Sequence, residues 1–201
     1  MKAYNNPDQL ASLITSRICH DLANPVGAIH NGLELLELSG FPTTPELELV
    51  IASVKNAQSK IGFFRAAFGP EDRAAVSVSE IQTLLKQKSH DGKTVFDWAG
   101  EIAPERSVLK SLLLLCLCIE SSLPRGGNVR IRHFEPGWVI EAQAERIDPH
   151  NELWAHIKGS RIDHLEAADI HFELLRQTVF KNAYSLEWSF EPNALRITLL
   201  A

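Results

Sequence analysis

The chain has 201 residues, 20 Lys and Arg against 25 Asp and Glu, a formal net charge of −5, and 45% hydrophobic residues. That balance excludes a largely disordered chain, and the mild acidity without a basic block argues against a nucleic-acid binder and a polybasic membrane anchor. Three cysteines (Cys19, Cys116, Cys118) are too few and too oddly placed for a disulfide framework, and the longest apolar run, residues 112–119, falls far short of a membrane span. With no apolar leader in MKAYNNPDQL, a cytoplasmic protein in a reducing compartment is expected, with neither nucleic acid nor membrane as partner.

Residues 7–38 carry a helical period. Pro7 and Asp8 suit a helix start, and Leu10, Ile14, Ile18, Leu22, Val26, Ile29, Leu33 and Leu36 recur at spacings that make one face. Ser39-Gly40 and Pro42 end this pattern. Pro45-Glu46 opens a second, carried by Leu47, Val50, Ile51, Val54, Ala57, Ile61, Phe64 and Phe68, and Gly69-Pro70 stops it. The short connection over 39–44 predicts antiparallel neighbours. A lone hairpin buries its stripe poorly, whereas two hairpins close a four-helix core. A homodimer built on residues 8–68 is therefore expected, against the alternative that these helices pack only on the rest of their own chain.

Residues 1–70 thus form one domain, and 71–201 read as a second, α+β domain. Residues 76–88 are a short strand or a helix leading to a loop at 89–93, and 94–98 are a strand. Residues 104–123 are a Leu-rich helix, apolar nearly all round and so buried, followed by a turn at Pro124-Arg125-Gly126-Gly127. Residues 129–134 and 138–144 alternate about Pro136-Gly137 as an antiparallel hairpin. A turn at Asp148-Pro149 precedes residues 153–158, which show no decisive period, and a helix over 163–180. Residues 184–190 and 195–200 close the chain as a hairpin around Glu191-Pro192-Asn193. Helices on one face of a mixed or antiparallel sheet are the expected architecture.

At ~100° per residue the stripe of the first helix centres near Ile18, Ile29 and Leu33, and His20 projects away from it. Ser16, Asn24, Gly27, Asn31 and Glu34 fall on the same outer side, with Arg17 at its margin. An exposed histidine is commonly just a solvated group, but two neighbours speak for more. Gly27 costs about 1 kcal/mol relative to Ala in a helix. Pro25 removes a backbone bond and crowds the carbonyl of Asp21, which predicts a kink beside His20. A bare Gly27 also lets another protein's surface approach, so Gly27, Asn31 and Arg17 are expected to meet a partner.

The run His20-Asp21-Leu22-Ala23-Asn24-Pro25-Val26 resembles the H-box of two-component signalling proteins, in which a phosphorylatable histidine is followed by an acidic residue and then by Asn or Thr and Pro. The longer run HDLANPVGAI with HNGLELL after it resembles the ChpT-type histidine phosphotransferases. That resemblance implies an α+β chain: a helical hairpin forming a dimeric four-helix bundle, then a degenerate histidine-kinase ATPase-like α/β sandwich. Residues 109–131 look like the kinase N-box helix, its turn and the strand after it. The nucleotide motifs are missing. Leu114 and Cys118 stand where the magnesium-holding asparagines would be, and neither offers the hard oxygen that cation needs. The glycine-rich loop is replaced by Gln143-Ala144-Glu145-Arg146-Ile147-Asp148, and no second Gly-rich lid precedes the last helix. The domain is expected not to use ATP.

An intact His20 without an ATP site implies a phosphotransferase working in a phosphorelay. The implied partners are response-regulator receiver domains and the receiver domain of a hybrid histidine kinase. No cofactor or metal of its own is expected, and the resemblance implies that Mg2+ is held by the partner receiver. A neutral imidazole is a competent nucleophile near pH 7. Asp21 is placed to accept a hydrogen bond from the other ring nitrogen, or is only a solvated acid. Asn24, one turn on, is placed to position phosphoryl oxygens or a water. Arg17, one turn earlier, is placed to stabilise transferred phosphate, or is only a surface charge. Two alternatives stand beside this reading: a non-catalytic adaptor that docks signalling partners, and a receiver phosphatase using the acid and the Asn.

The remaining histidines (His30, His90, His133, His150, His156, His164, His171) show neither an i,i+4 pair nor a zinc-type Cys/His pattern. Cys116 and Cys118 read as buried small hydrophobes. Cys19 leaves the helix ~100° from His20 and makes no nucleophilic pair with it. Trp98, Trp138, Trp154 and Trp188 read as core aromatics scattered through strands.

Overall fold

The computed structural model describes residues 7–70, 75–89 and 93–201, with backbone alone for 7–9. They fall into two compact units that part between Pro70 and Glu71. The first is a hairpin of α1 (Pro7–Leu38) and α2 (Pro45–Phe68). Gly40, at φ +76°, ends α1: its N–H donates to Glu37 O and the Phe41 N–H reaches back to Leu36 O, satisfying the last carbonyls. Thr44 caps α2, its Oγ1 accepting from the Leu47 N–H, with Pro45 in the first turn where no donor is needed. At the open end Ser12 Oγ donates to Phe68 O at 3.1 Å. Helix α1 runs unbroken through Pro25.

The expected burial of the α1 stripe is corrected. A seam of α1 residues that lose solvent, with α2 as the packing partner, runs through Ser12, Ser16, Cys19, Ala23, Val26, His30 and Leu33, alternating by four and three, with Thr15 and Gly27 half-buried at its margins. Ile18 and Ile29, expected at the centre of the stripe, are 53% and 52% exposed, and Ile14, Leu22 and Leu36 are exposed with them; of that centre only Leu33 is buried. The cause is angular. On a helix with ~100° per residue, the Cys19–Leu33 seam lies roughly a quarter-turn from His20, whereas Ile18 and Ile29 lie opposite it. Small side chains suit the close seam, and the large aliphatic ones are left on a third face.

The second unit is a five-stranded mixed sheet in the order β1-β2-β3-β5-β4. Strand β1 (Thr94–Trp98) runs parallel to β2 (Gly127–Phe134), and β3 (Gly137–Gln143), β5 (Ala194–Leu200) and β4 (Ser185–Phe190) continue antiparallel. Helix α4 (Arg106–Ser121) makes the crossover between the parallel pair and is buried at every position from Val108 to Ile119 except Lys110. Val129, Ile131, Ile140, Ala142, Leu195, Ile197 and Leu199 alternate inward from the strands to complete the core. The opposite face carries one rung of alternating charge: Asp97 bonds Arg130 at 3.2 Å, and Glu141, in register with Arg130, pairs with Arg196.

Helix α3 (Val78–Lys88) settles the undecided segment. Ser77 and Glu80 form a reciprocal capping box that the sequence already spells as S-x-x-E. Lys88 ties α3 to α4, its Nζ donating to both carboxylate oxygens of Glu120 at 2.5 and 2.6 Å. Of the loop expected at 89–93, residues 90–92, His90 among them, lie outside the described residues. Helix α5 (Asn151–Ile157) forms where no decisive period was legible. It carries Trp154, which is therefore a helix residue and not a strand residue. Trp154 Nε1 donates to Ser122 Oγ at 3.0 Å, and its ring meets Phe172, Trp188 and Phe190 with centroids 5.2–5.7 Å apart. The helix expected over 163–180 is α6 (Ile170–Lys181), preceded by a 3-10 turn at Ala167–Asp169. It starts late because Arg161, Asp163, His164 and Glu166 are exposed and offer no apolar face, whereas Phe172 and Leu175 are buried.

Glu173 binds α6 to α5. It accepts from Arg176 at 2.6 and 2.7 Å, from His156 Nε2 at 2.6 Å and from Gln177 at 2.8 Å. Arg176 first, then His156 and Gln177, hold its carboxyl down at about 2, below the ordinary 4.5. A carboxylate lowered by folding stabilises above its unfolded value and loses that contribution as pH falls through the folded one. Glu173→Gln is expected to lower the melting temperature at pH 7 by about 2–4 °C, the shift that ~1 kcal/mol gives in a chain of this size. Thermal melts should show the gap to wild type closing as pH drops from 4.5 toward 2.

Candidate functional site

His20 sits mid-way along α1, on the face turned away from Ile18 and Ile29, and its side chain is 66% exposed. Its Nδ1 lies 3.2 Å from Asp21 Oδ1. A carboxylate only accepts, so this contact is a hydrogen bond with the proton on Nδ1, and that tautomer leaves a lone pair on Nε2. No described residue bonds Nε2. Asp21 divides its two oxygens, because Oδ2 accepts from Arg17 Nε at 2.8 Å. The His20 ring first, and Arg17 after it, hold the Asp21 carboxyl below the usual carboxylate range, so it is ionised at neutral pH. The arrangement is an unblocked imidazole nitrogen in water, backed by a negative charge on the ring's other side.

Asn24 and Asn31 are exposed one and three turns along from His20. Gly27, two turns along, is half-buried, and a Cβ built on it meets nothing within 4 Å. Ser16, expected on the outer side, is half-buried at the edge of the α2 seam. Glu34 is 3.3 Å from the half-buried His30 Nε2. Arg17 faces Asp21, a pairing that its i,i+4 spacing announces and that stands beside the two readings given above, transferred phosphate and a surface charge.

In the second unit Leu114 and Cys118, at the positions the resemblance gives to magnesium-holding asparagines, are both fully buried in α4. Burial pushes the Cys116 thiol up to about 12 and Cys118 well above its ordinary 9.0, so neither is a nucleophile at neutral pH. The segment that replaces the glycine-rich loop is bonded into the fold: Ala144 N–H donates to Asn193 O, Asp148 N–H to Ser122 O, and Arg125 to Glu145. Four histidines of this unit have structural partners, His156 on Glu173 among them. His150 Nε2 donates to Ser121 O, His171 Nε2 meets Ser121 Oγ, and His133 packs edge-on against Trp138. Among the described residues no three His, Cys, Asp or Glu side chains are grouped to hold a metal ion, and no helix is long and apolar enough to cross a membrane.

Comparison with known proteins places this geometry. The family model described as the histidine phosphotransferase C-terminal domain matches residues 78–194. The protein phosphotransferase ChpT of Brucella abortus (strain 2308) is 36% identical over 145 residues, which is 69% of each chain. A solved bacterial phosphotransferase, 23% identical, shares the fold with a TM-score of 0.71 over 96% of this chain and 97% of that one. The chain thus belongs to the histidine phosphotransferases, which pass a phosphoryl group through a phosphohistidine in two-component phosphorelays.

Proposed function

We propose that His20 is the phosphoryl carrier and that it works between two receiver domains. One belongs to a hybrid histidine kinase, the other to a response regulator. The observation that carries this is the exposed ring of His20 with Nδ1 on Asp21. In the first half-reaction the Nε2 lone pair forms a bond to phosphorus as the P–O bond to the donor aspartate breaks, returning that carboxylate. The ring gains positive charge, which the ionised Asp21 faces. In the second half-reaction the acceptor's carboxylate attacks phosphorus, the N–P bond breaks and the ring is neutral again. Transfer of this kind asks for in-line positioning and charge neutralisation. Asn24 lies on the side of the ring where it can hold a phosphoryl oxygen. Gly27 and Asn31 leave the next two turns open to the docked receiver. The receiver brings the Mg2+, whose hard-oxygen demand its own carboxylates meet.

The exposed Ile18, Leu22, Ile29 and Leu36 support a homodimer in which two hairpins bury these faces as a four-helix core. Because that face is opposite His20, the dimer keeps both rings in solvent. The second unit serves as scaffold and not as an ATPase, a reading supported by the buried Leu114 and Cys118.

Four outcomes are expected. In a reconstituted relay with two receivers, His20→Ala abolishes movement of labelled phosphate from donor to acceptor, and normal transfer in that variant overturns the carrier assignment. Sedimentation of the wild type gives twice the chain mass. Ile18→Ala raises the dimer Kd about 100-fold or more, since burying each Ile contributes ~1.5–3 kcal/mol and a dimer loses two. Titration with Mg–ATP gives no saturable binding up to millimolar nucleotide, and micromolar affinity removes the scaffold reading.

A further inference from the structure

We propose that Arg17 is a positioning residue for the transfer step, acting on His20 through Asp21 by pinning the carboxylate that selects the ring tautomer. This rests on His20 being the carrier. Asp21 follows His20 directly, so their side chains leave the helix ~100° apart, and the carboxylate must be turned sideways to reach the ring. An exposed aspartate has several staggered rotamers open to it. Arg17 reduces that choice. Its Nε holds Oδ2 at 2.8 Å, which leaves Oδ1 at 3.2 Å from His20 Nδ1. The spacing of four residues brings Arg17 and Asp21 together on adjacent turns.

The chemical consequence lies in which nitrogen carries the proton. An imidazole left to water prefers its proton on Nε2, and that proton blocks attack from the outward nitrogen. A carboxylate fixed beside Nδ1 draws the proton there and frees Nε2. Arg17 therefore sets the fraction of His20 in the reactive tautomer without touching phosphorus itself. The guanidinium suits this task, since its planar fork approaches a carboxylate in a defined direction that a lysine ammonium lacks. All three groups are exposed, at 75% for Arg17, 49% for Asp21 and 66% for His20, so solvent screens the coupling and its kinetic effect is modest.

Arg17→Met keeps the aliphatic stem and removes the fork. Nitrogen-15 NMR of the His20 ring is expected to show a shift toward the Nε2–H tautomer. The rate of phosphoryl transfer from a saturating phosphorylated receiver should fall about two- to threefold, the scale of an exposed i,i+4 pair, with KM unchanged. In an Asp21→Asn background, Arg17→Met should alter neither readout further. An unchanged ring tautomer, a raised KM, or the same loss of rate without Asp21 each overturns the proposal and assigns Arg17 to docking or to the phosphate. The ring spectrum is read without any receiver, so failure of the carrier assignment in the His20→Ala relay remains distinguishable from failure here.

Discussion

The period of one helix, α1, divides its residues among three faces, and only one of them packs on α2. The seam of α1 toward α2 runs through Cys19, Ala23, Val26 and Leu33, small enough to let the two helices approach. The large aliphatic side chains, Ile18 and Ile29 among them, are turned to a second face that the hairpin does not cover. The third face is polar and holds His20. These faces are coupled: a residue deleted from α1 before His20 rotates everything after it by ~100° and sends the imidazole to the place of Cys19 in the seam. On the proposed reading, the exposure of His20 to a receiver depends on the same periodicity that packs the hairpin. The proposed dimer, joined through the aliphatic face, would bury apolar surface without covering either ring.

In the second unit, packing stands where the resemblance to kinase ATPase domains would place a ligand site. A helix that presents asparagines to a magnesium ion must keep one face polar and open. In α4 that demand is gone, and the helix is buried almost all round. Trp154 adds to this closure. It fills the space beside the end of α4 with an aromatic cluster and binds Ser122 at the helix terminus. The loop after β3 spends its backbone donors on Asn193 and Ser122, where a phosphate-binding loop keeps such donors free. The apolar side chains of α4, Leu114 and Cys118 among them, contribute to the packing of this unit.

The hairpin was legible because proline and glycine punctuate it: Pro7, Gly40, Pro45 and Gly69-Pro70 stand at or beside the ends of α1 and α2. The strands were legible from alternation, to within two residues at each end. Two kinds of feature were not. Helix α5 has only seven residues, too few to display a period, and its anchor Trp154 is held by contacts from α6 and β4 that lie distant in sequence. The start of α6 was placed early because charged residues 163–166 neither favour nor forbid a helix, and only the absence of an apolar face keeps them irregular. At the candidate site His20, Asp21 and Asn24 were read from their spacing. The wheel also placed the aliphatic stripe opposite His20, but a wheel assigns directions and not partners, so it did not separate the α2 seam from the uncovered face. Arg17 was left open between transferred phosphate and a plain surface charge, because spacing alone did not fix its partner; in the fold its guanidinium lies on Asp21.

The weakness of the Arg17–Asp21–His20 chain in the free protein follows from where it must stand. A ring reached by a receiver has to be exposed, and exposed charges at contact distance interact with only ~1 kcal/mol in bulk water. Docking changes the medium and not the geometry. A receiver seated over His20 removes water from the same three groups, and at an effective dielectric constant of about 20 the same separation weighs roughly four times more. On the proposed reading, Asp21 then holds the Nδ1 proton and balances the ring's charge most strongly at the moment the N–P bond forms.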